Sequence, residues 1–213
     1  MKVRNLKYIV LIILVGVGFW WWWLIPRQQR IRPANVGTQS FSVSWWTDGF
    51  SKNCILAVPK KAINIKNWLY VCEKDKTVMH LVKLDKAKSE TIYKIFIVSG
   101  LRVTFKDILE VKTKGFSDEP ISLPQPAYGQ IVNSDGGPVP GALVYLWPIS
   151  QEFVYPMAVK TDSNGHYAVD IGEIKSKSEI LMLEAVANAG IFNEIKVSSQ
   201  YHEPLPSIVV AIK

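Results

Sequence analysis

Residues 40–47, SFSVSWWT, decide the fold. In an extended chain Phe41, Val43 and Trp45 fall on one side and Ser40, Ser42 and Ser44 on the other, the two-residue period of a half-buried strand. Asp48-Gly49 then breaks the run. The same kind of signal recurs outward from it, at 55–58 (ILAV), 68–71 (WLYV), 78–84, 91–98 (TIYKIFIV) and within 108–113, with no long 3.6-residue period. About seven short strands in this span predict an antiparallel sandwich. On a single-layer count only one of Trp45 and Trp46 points inward. That leaves Trp46, and Trp147 further on, either as exposed aromatics able to anchor a sugar ring or a partner protein, or as further core residues.

Residues 32–47, RPANVGTQSFSVSWWT, resemble the opening of a fibronectin type III domain, with a proline-led first strand and a second strand bearing a core Trp, here Trp45. His80, Val82, Leu84, Ala87, Thr91 and Tyr93 match the spacing of that family's run into its tyrosine corner. The resemblance implies that the Tyr93 hydroxyl bonds back to the chain upstream. It also implies a binding or spacer module without catalytic residues. Ala87 and Ser89 depart from the Leu and Pro more usual there.

The second half carries a sharper pair of motifs. Residues 128–146, YGQIVNSDGGPVPGALVYL, read as strand, glycine-rich turn and strand. Residues 161–167, TDSNGHY, read as a hairpin turn, after which Tyr167, Val169 and Ile171 resume alternation. Further strands are expected at 179–187, 191–197 and 207–212. These stretches resemble the carboxypeptidase regulatory-like domain. The match rests on Gly129, Ile131, Gly136 or Gly137, Pro138-Val139, Gly141-Ala142 and Val144, then on Thr161-Asp162, Gly165 and Tyr167. The resemblance implies a transthyretin-like β-sandwich of about seven strands, an accessory or adhesion-type module that is not itself a peptidase.

Ahead of both halves, residues 8–25, YIVLIILVGVGFWWWWLI, contain no charge. As a helix they reach roughly 27 Å, enough for a bilayer's hydrocarbon core. Trp20, Trp21, Trp22 and Trp23 sit where such a helix leaves the lipid, the interface that indole favours. A cleaved signal peptide needs small residues at its cleavage site, and Trp23-Leu24-Ile25-Pro26 supplies none. An uncleaved signal-anchor is therefore expected. Lys2, Arg4 and Lys7 are balanced by Arg27, Arg30 and Arg32, and the terminal amine tips the N-terminus toward the cytoplasm. The expected organisation is a basic tail (1–7), a transmembrane helix (8–25), a juxtamembrane connector (26–32), a fibronectin-like sandwich (33–116), a proline-rich linker (117–126) and a regulatory-like sandwich (127–213). The fold class is thus all-β, two tandem antiparallel sandwiches of about seven strands each, behind one transmembrane helix.

The net charge of +7 does not indicate nucleic acid. Six of the 25 Lys and Arg lie in residues 1–33, leaving 19 against 18 acidic residues elsewhere. Residues 34–124 hold 14 basic and 9 acidic groups and residues 125–213 hold 5 and 9, opposite signs that would favour end-to-end contact of the two domains. Cys54 and Cys72 are the only cysteines. If 55–58 and 68–71 form a hairpin, the thiols face each other; they then close a disulfide or pack as two small hydrophobes. Without nearby His they make no zinc shell.

Asp162, Asn164, His166 and Glu173 occupy positions 1, 3, 5 and 12 of a calcium loop, but Tyr167 stands where that loop needs glycine, so a hairpin turn is the better account. Strands 127–147 lack the lysine an internal isopeptide bond requires. His80, His166 and His202 are read as turn or surface residues. No G-x-S-x-G elbow exposes a nucleophile. No enzyme, metal or cofactor is expected. The expected protein is a single-pass, membrane-anchored one whose two sandwiches, held as an extracytoplasmic rod, meet a protein or glycan at the cell envelope. The alternative is an accessory subunit of an extracellular hydrolase, or a scaffold of an envelope complex.

Overall fold

The computed structural model describes residues 28–61, 64–99, 102–116, 124–149, 155–172, 180–188, 190–198 and 204–211. The expected transmembrane helix, with Trp20 to Trp23, and most of the expected linker lie outside these residues. Among the described residues no helix is long and apolar enough to cross a membrane. The described residues are all-β with almost no helix; Ile65–Asn67 forms a 3₁₀ turn.

Seven strands make the first half: β1 (Gln28–Ala34), β2 (Ser40–Ser51), β3 (Cys54–Pro59), β4 (Leu69–Cys72), β5 (Thr77–Asp85), β6 (Ile92–Ser99) and β7 (Arg102–Lys112). They form two antiparallel sheets, β1-β2-β5 and β4-β3-β6-β7. The alternation read from SFSVSWWT holds: Phe41, Val43 and Trp45 meet Ile55, Tyr93 and Ile97 in one buried core. β7 starts earlier than the 108–113 signal, because its pairing with β6 begins at Arg102 opposite Ser99. β1 also starts inside the span expected to be a connector. Gln28 pairs with Thr47 and Gln29 with Trp46, and a bulge then restores register at Arg32.

The second half contains β8 (Pro126–Asn133), β9 (Leu143–Pro148), β10 (Met157–Lys160), β11 (His166–Asp170), β12 (Ile180–Ala187), β13 (Ile191–Ser198) and β14 (Ile208–Val210). Its sheets are β10-β9-β12-β13 and β11-β8-β14. One pairing departs from the antiparallel expectation: β14 runs parallel to β8, Ile208 opposite Ile131, because the chain returns from β13 by a long connection. Ile131, Val144, Leu146, Tyr167, Leu183 and Ile208 fill the core between these sheets.

A third core joins the halves. Ala34, Trp46 and Met79 from sheet β1-β2-β5 pack on Leu143, Tyr145, Ala158 and Val186 from sheet β10-β9-β12-β13. The four sheets therefore stack face on face, and β2 and β9 at the middle of the two central sheets are buried on both sides along most of their length. This corrects the expected end-to-end rod: the contact is a sheet face, apolar at its centre. It also corrects the exposed Trp46, which is 3% exposed; Trp147 packs half-buried at the margin of the same core. The physical reason is that a second sheet covers the serine face of β2.

Candidate functional site

The junction between the halves is built from residues that the alternation pattern assigns to solvent. Ser44, buried between sheets, accepts a hydrogen bond from the Tyr145 hydroxyl at 2.9 Å and donates to the Arg32 carbonyl at 3.1 Å. Arg32 reaches across to the Glu184 carboxylate at 2.8 Å and lies 5.2 Å from the Tyr145 ring centroid. Asn35 closes a reciprocal pair with Ala158: its Nδ2 donates to the Ala158 carbonyl and its Oδ1 accepts from the Ala158 amide, both at 2.8 Å. Its own amide donates to the Pro156 carbonyl at 2.9 Å. Burial pushes the Tyr145 phenol up to about 12, with the Ser44 bond and Arg32 pulling against it. Buried polar groups with partners on the opposite sheet fix a single docking geometry, since any slip would leave them unpaired.

A second polar cluster lies inside the first half. His80 Nδ1 is 2.7 Å from the Glu73 carboxylate, and its Nε2 is 3.0 Å from the Thr47 hydroxyl and 3.4 Å from both Ser51 Oγ and Asn53 Nδ2. The Trp45 indole stacks on the imidazole, centroids 4.7 Å apart and planes 5° from parallel. Carboxylate, imidazole and hydroxyl stand in the order of a nucleophilic triad. However, Thr47 and His80 are 0% exposed and Ser51 is nearly so, and a hydroxyl sealed in a core has no room for a substrate. The cluster instead closes the β2–β3 corner: Glu73 also accepts from the Asn53 amide, and Asn53 donates to Ser51.

His80 is thus a core residue, correcting its reading as a turn or surface residue. The signal was present in the sequence, because His80, Val82 and Leu84 alternate on the face that fills the core. A shallow cleft of about 320 Å³ opens beside the cluster, lined by Glu73, Thr77 and, from the second half, Lys160. Burial lowers the Lys160 ammonium, and the Glu73 carboxylate partly restores it.

The remaining residues singled out in the sequence are structural in their surroundings. Cys54 and Cys72 are opposite one another on β3 and β4 and are joined by a disulfide. The Tyr93 hydroxyl accepts from the Lys88 amide at 2.8 Å, and its ring lies 5.5 Å from Phe41. Gly129 lies under the Tyr167 ring, where a Cβ would come within 2.5 Å of the phenol oxygen. Gly165 has φ +72°, and its turn packs on the Ile131 carbonyl.

Asp162 caps that turn, its Oδ1 accepting from the Asn164 and His166 amides at 2.8 Å each. Gly136 lies in the turn that follows β8, Pro138 forms a bridge with Val132, and Gly141 precedes β9. Among the described residues no group of three His, Cys, Asp or Glu is placed to hold a metal ion; Glu173 and His202 lie outside them.

No family model matches the chain, and no curated protein matches it in sequence. Among solved structures it is similar to BcpA, the major pilin subunit of Bacillus cereus, at 11% identity and TM-score 0.29 over 87% of this chain and 69% of that one. It is also similar to the FN1–FN3 domains of chicken CNTN1, at 13% identity and TM-score 0.29 over 86% and 67%. At these values neither gives this chain a site or an activity.

Proposed function

We propose that the chain is a membrane-anchored, extracytoplasmic structural and binding protein, its first half a fibronectin type III-like module and its second a carboxypeptidase regulatory-like one. The observation that carries this reading is the junction core around Trp46 and Tyr145. Two modules that share a buried core and cross-sheet hydrogen bonds move as one body. A rigid body of this kind suits a spacer or scaffold that holds a partner at fixed geometry from the membrane. The Cys54–Cys72 bond supports an oxidising compartment. The exposed aromatics Trp68 and Tyr70, beside edge strand β4, supply a surface for a protein or glycan partner.

Protease shaving of intact cells, followed with an antibody to the second half, tests the reading. Loss of signal from intact cells is expected for a domain facing outward. Digestion only after the outer barrier is opened favours a scaffold within the envelope, and digestion only of inside-out vesicles overturns extracytoplasmic placement. Co-purification with a hydrolase would move the role to an accessory subunit.

A further inference from the structure

We propose that one end of the molecule, carrying Phe50, Ile191 and Phe192 among exposed cations, is a seat for the anionic lipid surface from which the chain emerges. The proposal rests on the membrane-anchor reading and adds which surface of the folded body meets the lipid. The first argument is the entry point of the chain. Ile25 closes the apolar run, and only Pro26 and Arg27 separate it from Gln28, the first residue of β1. Three residue steps span at most about 11 Å. The end of the body at which β1 begins is therefore held at the headgroups.

The second argument is what that end displays. β2 runs antiparallel to β1, and Thr47 is the partner of Gln28. Phe50 lies three residues beyond Thr47, in the bulge between Trp46 and Ser51, on the side from which the chain enters. It is 74% exposed there. The β12–β13 hairpin reaches the same level, because Gly190 packs against the Trp46 indole and Trp46 is the partner of Gln29. Just beyond Gly190, Ile191 is 38% and Phe192 48% exposed. Single exposed apolar residues are ordinary; three on a β2 bulge and the β12–β13 hairpin at the chain's point of entry are an arrangement. Aromatic rings favour the headgroup level, where an apolar body meets a polar boundary.

The third argument is charge. Ser51 pairs with Thr77, which brings Lys52 and Lys76 side by side, with Lys74 on the same loop, all exposed. Arg30 lies over both the Trp46 and Phe192 rings, 5.6 and 5.1 Å from their centroids. In the first half the acidic groups at this end are Asp48, Asp75 and Glu73; in the second half Asp162 follows Lys160 at the same level. Glu73 is turned inward onto His80 and the Asn53 amide, leaving the four first-half cations in excess over the exposed carboxylates of Asp48, Asp75 and Asp162. Apolar insertion and lysines over an anionic leaflet together make a stable contact where either alone is marginal.

The test uses the full chain in phosphatidylcholine nanodiscs, with and without phosphatidylglycerol, containing a nitroxide-headgroup lipid. Amide signals of Phe50, Lys52, Ile191 and Phe192 are compared with those of Lys86 and Lys88 at the opposite end. Selective broadening of the first set, stronger with phosphatidylglycerol, is expected. Phe50→Ser with Phe192→Ser should abolish it, with the rest of the spectrum unchanged. Each of Lys52→Gln, Lys74→Gln and Lys76→Gln should lower the seated-to-free ratio about fivefold. Equal broadening at both ends, or sharp tips in a chain that stays with lipid through an alkaline wash, overturns the seat and leaves the anchor standing. A chain that washes off overturns both.

Discussion

Trp45 and Trp46 are chain neighbours on one strand, both buried, yet they belong to different cores. Trp45 points with Phe41 and Val43 into the core of its own sheet pair. Trp46 points with Ser42 and Ser44 into the junction with the other half. One face of β2 is written in apolar residues and the other in serines, and from Phe41 to Thr47 burial is complete on both. The contrast teaches that a polar face in a strand has two fates, solvent or a hydrogen-bonded sheet junction. What separates them is whether another element carries matching partners, here Tyr145, Asn35 and Glu184.

The comparison breaks most sharply at the tryptophans themselves. Trp45→Ala should cost about 3–5 kcal/mol by emptying the core of the first sheet pair. Trp46→Ala should cost a similar amount but act differently, separating one cooperative unfolding transition into two as the halves uncouple. Denaturant unfolding followed by circular dichroism, with limited proteolysis of the intermediate, distinguishes them. A single unshifted transition in Trp46→Ala would show that the junction contributes nothing to cooperativity.

The same contrast explains what was legible in the sequence. SFSVSWWT gave the strand, its core face and its period, because an apolar alternation is a local signal. The turn chemistry of Asp162 and Gly165 was legible for the same reason, since each satisfies backbone groups within a few residues. Ser44 and Trp46 were not, because their burial depends on Tyr145 and Gly190, more than 100 positions away. His80 was missed through its residue type: a histidine on an apolar stripe reads as polar until Glu73, Thr47 and Asn53 are seen to satisfy it.

A smaller effect tests whether the outer sheet of the first half depends on a covalent staple where the junction does not. The Cys54–Cys72 bond closes a loop with a sequence separation of 18, and replacing both cysteines by serine should cost about 3 kcal/mol in the chain-entropy model. The loss should appear in the stability of the first half alone. Hydrogen exchange should speed up in β4 and β3, while Tyr145 and Ala158 stay protected. Equal deprotection at the junction would mean that the two regions are one energetic unit.

Smaller again is the loss of the Asn35 clasp. Its backbone has φ +50°, so Asn35→Gly keeps the left-handed conformation and removes, besides a longer bond to Ser42, the two 2.8 Å side-chain bonds to Ala158. At about 1 kcal/mol each the cost should be roughly 2 kcal/mol. It should weaken the same coupling that Trp46→Ala removes, so the double variant should lose less than the sum of the two single losses. Simple additivity would place Asn35 outside the junction's cooperative unit.

The finest test of the junction is its response to alkali. The Tyr145 phenol is raised to about 12, chiefly by burial, so the junction holds its neutral form. Its contribution is fully present below the unfolded value near 10, and it is lost as pH rises through 12, by up to about 3 kcal/mol. Burial raises Tyr167 as well, so the whole protein weakens in alkali; what isolates the junction is the difference from Tyr145→Phe. That variant should lose only about 1 kcal/mol at neutral pH, because Ser44 keeps its bond to the Arg32 carbonyl. Between pH 10 and 12 its stability should fall less steeply than the parent's, and the two curves should converge or cross. Parallel curves would mean that Tyr145 ionises without disturbing the sheet junction, and that packing around Trp46 alone holds the halves together.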